Sequence, residues 1–222
     1  MTKAVAARIF FALSALAVLV GLIVQLFVSA GLTGSQFTSP GSRIFNVFCY
    51  FTVQSNALVG ITTGLLASRL HRRSNVFRAI RLAGLIGITV TGIVFHVALA
   101  HLQDLEGTAA VADFVLHTLV PVLAVAGWLG FGPRGMTSWR VGVLAVIFPV
   151  AWLTFALVRG ELIDFYAYPF IDVRQHGYLQ VFANAALVAV LFFLLAAGAI
   201  ILDRWLSGLG KGAGRVAASD AV

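Results

Sequence analysis

Thr52 and His117 are the two residues whose chemistry fits together most simply. A hydroxyl becomes a nucleophile when a base takes its proton, and imidazole is the side chain best matched to that task near neutral pH. Around Thr52, the polar residues Cys49, Thr52, Ser55 and Asn56 recur at offsets of three and four, one stripe of a helix, with Gln54 off to the side. Each alone reads as interhelical hydrogen bonding; four on one stripe point to a polar cavity. Asp113 precedes His117 by four residues and shares its face, and Pro121 follows one turn on. Asp113 is the near candidate to orient the imidazole, with Glu161, Asp164 and Asp172 as alternatives. Asn56 and Ser55, one turn beyond Thr52, are candidate oxyanion donors. His96 is a further ionisable group inside an apolar run.

The elements that must position these groups follow from composition. Of 222 residues, 60% are apolar and 10% charged, against roughly 45–50% and about 25% in soluble domains. A water-soluble globule is excluded, and so is a disordered chain, which needs low hydrophobicity. The net charge of +7 lies in short gaps between apolar runs, so it is a topology signal and gives no basic face for nucleic acid. The expected partners are the lipid bilayer and a lipid-like substrate; oligomeric state is open. A single cysteine, Cys49, excludes an intrachain disulfide and a Cys-rich zinc cluster. No phosphate-binding glycine loop, HExxH or GxSxG occurs, and neither cofactor nor metal is expected.

A spanning helix needs about 20 mostly apolar residues, because lipid offers backbone amides no partner. Six stretches qualify: 9–30, 44–66, 80–101, 109–131, 139–158 and 179–202. The expected fold is therefore all-α: a single polytopic bundle of six transmembrane helices over 1–205, with a disordered, glycine-rich tail over 206–222. Lys3 and Arg8 precede the first stretch, and Val28-Ser29-Ala30 resembles a signal-peptidase site; at 22 residues the run exceeds a signal core, so it reads as a retained helix. Of the 15 Lys and Arg, Arg43, Arg159 and Arg174 fall on one side and all the others on the opposite side. That places both termini in the cytoplasm of a cell-membrane protein. Thr52 and His117 then each lie eight residues inside helices entering from the outer side, about 12 Å deep at 1.5 Å per residue. His96 and Asn184 lie in the same outer half. The cytoplasmic half reads as nearly all aliphatic, which disfavours a continuous polar path. The connection 159–178, rich in aromatics and acids, reads as a structured outer cap. Gly60 and Gly64 form a GxxxG permitting close helix approach, Pro149 should kink the fifth helix, and His71 reads as part of a solvated basic loop.

Tyr50-Phe51-Thr52-Val53-Gln54-Ser55-Asn56, His117-Thr118-Leu119-Val120-Pro121 and Tyr168-Pro169-Phe170 resemble, in order and placement, the landmarks of bacterial six-helix Pr6Pr membrane proteins. Those in turn are similar to the eukaryotic androgen-induced and androgen-dependent TFPI-regulating proteins. The resemblance covers about residues 44–175. It implies a multipass threonine hydrolase of fatty acid esters of hydroxy fatty acids, with Thr52 and His117 as its essential pair.

The leading reading is thus an intramembrane hydrolase of a lipid ester. Two others stand beside it: a haem-binding redox protein using His96 and His117 as axial ligands, and a non-catalytic transporter or assembly protein whose polar groups serve packing.

Overall fold

The computed structural model describes residues 1–219 apart from Arg73 and Gln103, with side chains as far as Gly208. The described chain is all-helical, with no strand. Helix α1 is Lys3–Gly31, α2 Pro40–Val47, α3 Phe51–Ser68, α4 Asn75–Val94, α5 Gly107–Phe114, α6 Val120–Phe131, α7 Trp139–Ile163 and α8 Val173–Ser219. Short π-helical turns, Phe95–Leu99 and Val115–Leu119, extend α4 and join α5 to α6. Five helical stretches are long and apolar enough to cross a membrane, or six if the bent pair α2 and α3 is one span. The tail expected from residue 206 falls mainly on residues 209–222, whose side chains lie outside the described residues.

The expected span 44–66 is not one helix: α2 and α3 meet at 67° across Phe48–Tyr50. No glycine or proline marks this break. Side chains heal it instead, as lipid-buried backbone requires. Trp152 Nε1 donates to the Cys49 carbonyl at 3.0 Å, and Gln54 Nε2 donates to the Phe48 carbonyl at 3.0 Å. The break makes Thr52 the second residue of a helix, so its backbone N–H is one of the donors a helix start leaves unpaired.

Between α5 and α6 the register shifts for an identifiable reason. Val120 N–H bonds to the Val115 carbonyl, five residues back. The next donor would serve Leu116, but Pro121 has no N–H. Asn56 Nδ2 fills that place, donating to the Leu116 carbonyl at 3.2 Å and to the Thr52 carbonyl at 2.9 Å. One side chain thereby ties α3 to the π-turn that carries His117. Gly92 of α4 faces the same turn: a Cβ there would lie 3.1 Å from Pro121 Cβ and 3.4 Å from the His117 carbonyl, so α4 can approach only because the side chain is absent. Asn56→Ala should lower stability by about 1 to 2 kcal/mol, read as a lower melting midpoint in detergent.

α4 is the central helix, burying Leu82, Ile86, Ile88 and Val90. α1 packs on α3 at the expected GxxxG, where a Cβ on Gly60 would meet Val18 at 2.9 Å, and α1 is part of the bundle. The connections alternate between two ends. At the basic end, Arg8 Nε donates to the Ala67 carbonyl, and Ala7, Leu66, Phe77 and Met136 share one cluster. At the other end, Arg43 Nη2 donates to the Ala30 carbonyl and Arg159 Nη2 to Asn46 Oδ1, while Gln36 Nε2 donates to the Ile163 carbonyl.

The basic end departs from the aliphatic half expected for it. Arg81 is 8% exposed and Asp203 1% exposed. Asp203 lies beyond the expected end of the last span because α8 runs on, and its carboxylate accepts the Gly135 and Thr137 backbone N–H groups and the Thr137 hydroxyl.

Candidate functional site

At the opposite end the chain after α7 folds as the structured cap its composition predicts. α7 ends on Asp164 in the left-handed conformation, φ 56°. Asp172 then caps the first turn of α8, accepting the Arg174 N–H at 2.9 Å and Gln175 Nε2 at 2.7 Å. Asp164 pairs with Arg174 at 3.0 Å, and Glu161 accepts from the phenols of Tyr166 and Tyr178. These three acids are occupied in the cap, which leaves Asp113 as the acid that reaches His117.

Between the capping residues, Tyr168 turns inward and stacks on Phe170, with ring centroids 5.4 Å apart. Its phenol oxygen accepts the Thr52 N–H at 3.1 Å and shares a hydrogen bond of 3.1 Å with Thr52 Oγ1. Tyr50, the residue before α3, offers no side-chain cap; Tyr168 supplies one from 116 residues away. Burial pushes the Tyr168 phenol up to about 12, against the lowering effect of its bonds to Thr52. It therefore stays protonated across the physiological range and keeps a proton to donate.

His117 is held from two sides. Its Nδ1 lies 2.9 Å from Asp113 Oδ1 and 3.2 Å from the Asp113 carbonyl oxygen. Both of those oxygens accept, so in the neutral ring Nδ1 carries the proton and Nε2 presents its lone pair. Phe95 stacks on the ring at 4.1 Å and 14°, fixing its plane. The side chains of His117 and Asp113 are 19% and 24% exposed, so the pair is only partly covered by the bundle. This is the orientation logic of a general base with a carboxylate behind it.

Thr52, His117 and Tyr168 line one cavity of about 180 Å³. Thr91, whose hydroxyl is buried without a partner, also lines it, and the rest of the wall is aliphatic and aromatic, including Phe51, Phe95, Trp152 and Phe170. Pro149, expected to kink its helix, lies within α7 and lines this space. Val150 of α7 and Phe193 of α8 line the cavity and are also exposed on the outside of the bundle, so the cavity opens sideways between those two helices. Among the described residues no hydrogen bond joins Thr52 to His117; the hydroxyl rests on Tyr168.

The other residues of the polar stripe serve different purposes. Asn56 and Ser55 are both 0% exposed and do not line the cavity. Both Asn56 amide hydrogens are used on carbonyls, so it cannot donate to an oxyanion. Ser55 Oγ is buried without a partner and faces Gly87 across the α3–α4 contact. The hydroxyls that line the cavity beside Thr52 are instead those of Tyr168 and Thr91, next to the N-terminal end of α3, whose partial positive charge favours an anion. His96 is exposed, lies outside the cavity, and shares a 3.0 Å hydrogen bond with Thr118 Oγ1. A haem held in the cavity would find one of the two imidazoles there. Asn184, expected at similar depth, donates to the Phe170 carbonyl at 2.8 Å and steadies the cap.

Comparison with known proteins returns no match: no family model, no curated protein and no solved structure.

Tyr168→Phe removes one hydroxyl and leaves the ring packing intact. Were the site to cleave an ester, the substitution should slow turnover about 10²-fold through kcat, the scale of one lost oxyanion donor, with KM nearly unchanged in steady-state kinetics.

Proposed function

We propose that this chain is a multipass membrane hydrolase that cleaves a lipid ester, with Thr52 as nucleophile and His117 as general base. The observation that carries the reading is the shared cavity. A hydroxyl at a helix start, an imidazole with its Nε2 lone pair free and a protonated phenol, drawn from three distant segments, line one largely apolar space. The three segments are those that resemble the Pr6Pr proteins, and the likeness of activity rests on that resemblance.

In the proposed reaction Thr52 Oγ1 attacks the ester carbonyl carbon as its proton passes to His117 Nε2. The tetrahedral oxyanion is stabilised by the Tyr168 hydroxyl and the start of α3. Collapse breaks the carbon–oxygen bond to the alcohol, which leaves with the proton from His117 and yields an acyl-threonine. Water, deprotonated by His117, then attacks that ester and releases the carboxylic acid and the Thr52 hydroxyl. The Thr52 hydroxyl must leave Tyr168 to begin. Threonine in a helix populates two χ1 rotamers, and catalytic hydrogen bonds are often unformed before substrate binds. An acyl chain suits the sideways opening, since it can stay among α7, α8 and the surrounding lipid while the ester enters. Asp113 stabilises the imidazolium that forms.

The charge asymmetry of the connections supports six crossings with both termini in the cytoplasm, which puts the cavity toward the outer leaflet. The reading is tested by assaying the purified chain in detergent against fluorogenic acyl esters. Hydrolysis above the rate of mock-purified membranes is expected; none with any chain length overturns it.

A further inference from the structure

The basic end of the bundle holds a group of guanidinium nitrogens with too few acceptors. Arg81, 8% exposed, has five N–H donors; its described hydrogen-bond partner is the thioether of Met136 at 3.5 Å, a weak acceptor. Arg78 Nε and Arg134 Nη1 are buried with no partner. Arg134 Nη2 donates to the Leu129 carbonyl, and its guanidinium lies over Trp128 at 5.5 Å. The acid nearby is Asp203, whose oxygens already receive three donors from Gly135 and Thr137. Among the described residues no arginine comes within 4.0 Å of it. Arg81 is buried and Arg78 and Arg134 are half-buried, so three cations face one carboxylate, and for Arg81 such burial is costly without an anion.

Arg78 and Arg81 line a recess with Trp128, Met136 and Thr137. Its volume of about 10 Å³ is the space of one water-sized atom. A whole phosphate does not fit inside, but one of its oxygens does, with the rest of the group at the mouth. We propose that this recess is an oxyanion site at which Arg78 and Arg81 hold a phosphate group by charge-assisted hydrogen bonds. The Thr137 hydroxyl is committed to Asp203, and Asp203, already saturated, sets the loop that closes the recess. The phosphate belongs to an anionic phospholipid of the facing leaflet or to a soluble phosphate; basic pockets between helices at that level suit headgroups. This site is distant from Thr52 and independent of ester cleavage.

The test uses the full chain in neutral detergent and reads the melting midpoint. Phosphatidylglycerol, phosphatidylcholine, and inorganic phosphate against sodium chloride of equal ionic strength are added separately. A rise of about 5 °C is expected with phosphatidylglycerol but not phosphatidylcholine. A comparable rise with inorganic phosphate assigns a soluble ligand, and a rise with the lipid alone assigns the headgroup. Arg78→Gln and Arg81→Met should each remove more than half of the rise. Should Arg81→Met fail to fold, the half-buried Arg78 decides through its own variant. No rise with either phosphate source, or a rise that Arg78→Gln leaves intact, overturns the site.

Discussion

Thr52→Ala should lower kcat for ester hydrolysis by about 10⁴-fold or more, the scale seen when a hydrolase loses its nucleophile. The protein should still fold. Thr52 Oγ1 makes one described hydrogen bond, to Tyr168, and that phenol keeps the Thr52 backbone N–H as a partner after the hydroxyl is gone. The expected loss of stability is therefore only about 1 kcal/mol. Thr52→Ser, which restores a hydroxyl at the same atom, should recover most of the rate. Parallel melting curves and steady-state rates for the three proteins separate chemistry from packing. If Thr52→Ala loses activity only as far as it loses folded protein, the hydroxyl is structural.

His117→Ala should produce a loss of similar size, about 10⁴-fold or more in kcat. Asp113→Asn is the sharper companion. An amide can still meet Nδ1, but its oxygen and nitrogen present an acceptor and a donor where the carboxylate presents acceptors alone. The negative charge behind the imidazolium is also gone. A loss of about 10² to 10⁴-fold with the fold unchanged is expected from the analogous substitution in serine hydrolases. Because the amide of Asp113→Asn keeps a hydrogen-bonding group beside Nδ1, the cost to stability should be only about 1 kcal/mol. A large drop in melting midpoint with unaltered specific activity of the folded fraction would show a structural pair.

What the sequence made legible was set by short-range chemistry. Apolar run length located the helical stretches long enough to span, since a span is a local property, but not the division of 44–66 between α2 and α3. The i, i+4 spacing placed Asp113 behind His117, and Pro149 lies inside α7 on the cavity wall. The break at Phe48–Tyr50 was not legible, because its determinants are Trp152 and Gln54 reaching carbonyls, not a glycine or proline at the break. The same break turns Thr52 from a mid-helix residue into one at a helix start. Asn56 was legible as polar but not by role, since the carbonyl it serves is freed by Pro121 on another helix. Tyr168 appeared in the sequence only as part of a Tyr-Pro-Phe string; its contact with Thr52 spans 116 positions and depends on the cap folding inward. Arg81 counted in the sequence only as a positive charge setting sidedness, yet it is buried, because charge sign says nothing about packing.

The two π-turns fit this picture. Each sits beside a histidine, His96 in Phe95–Leu99 and His117 in Val115–Leu119, and single π-turns inside α-helices recur at functional sites. Here the second has a traceable origin in Pro121, a satisfied orphan carbonyl and a glycine opposite it.

Treatment of the purified protein with a fluorophosphonate, followed by peptide mass spectrometry, tests the hydroxyl directly. A phosphonyl adduct on Thr52 that is absent from His117→Ala is the predicted result. An adduct on Ser55 or any other residue, or complete inhibition of ester hydrolysis with Thr52 unmodified, contradicts the assignment of the nucleophile.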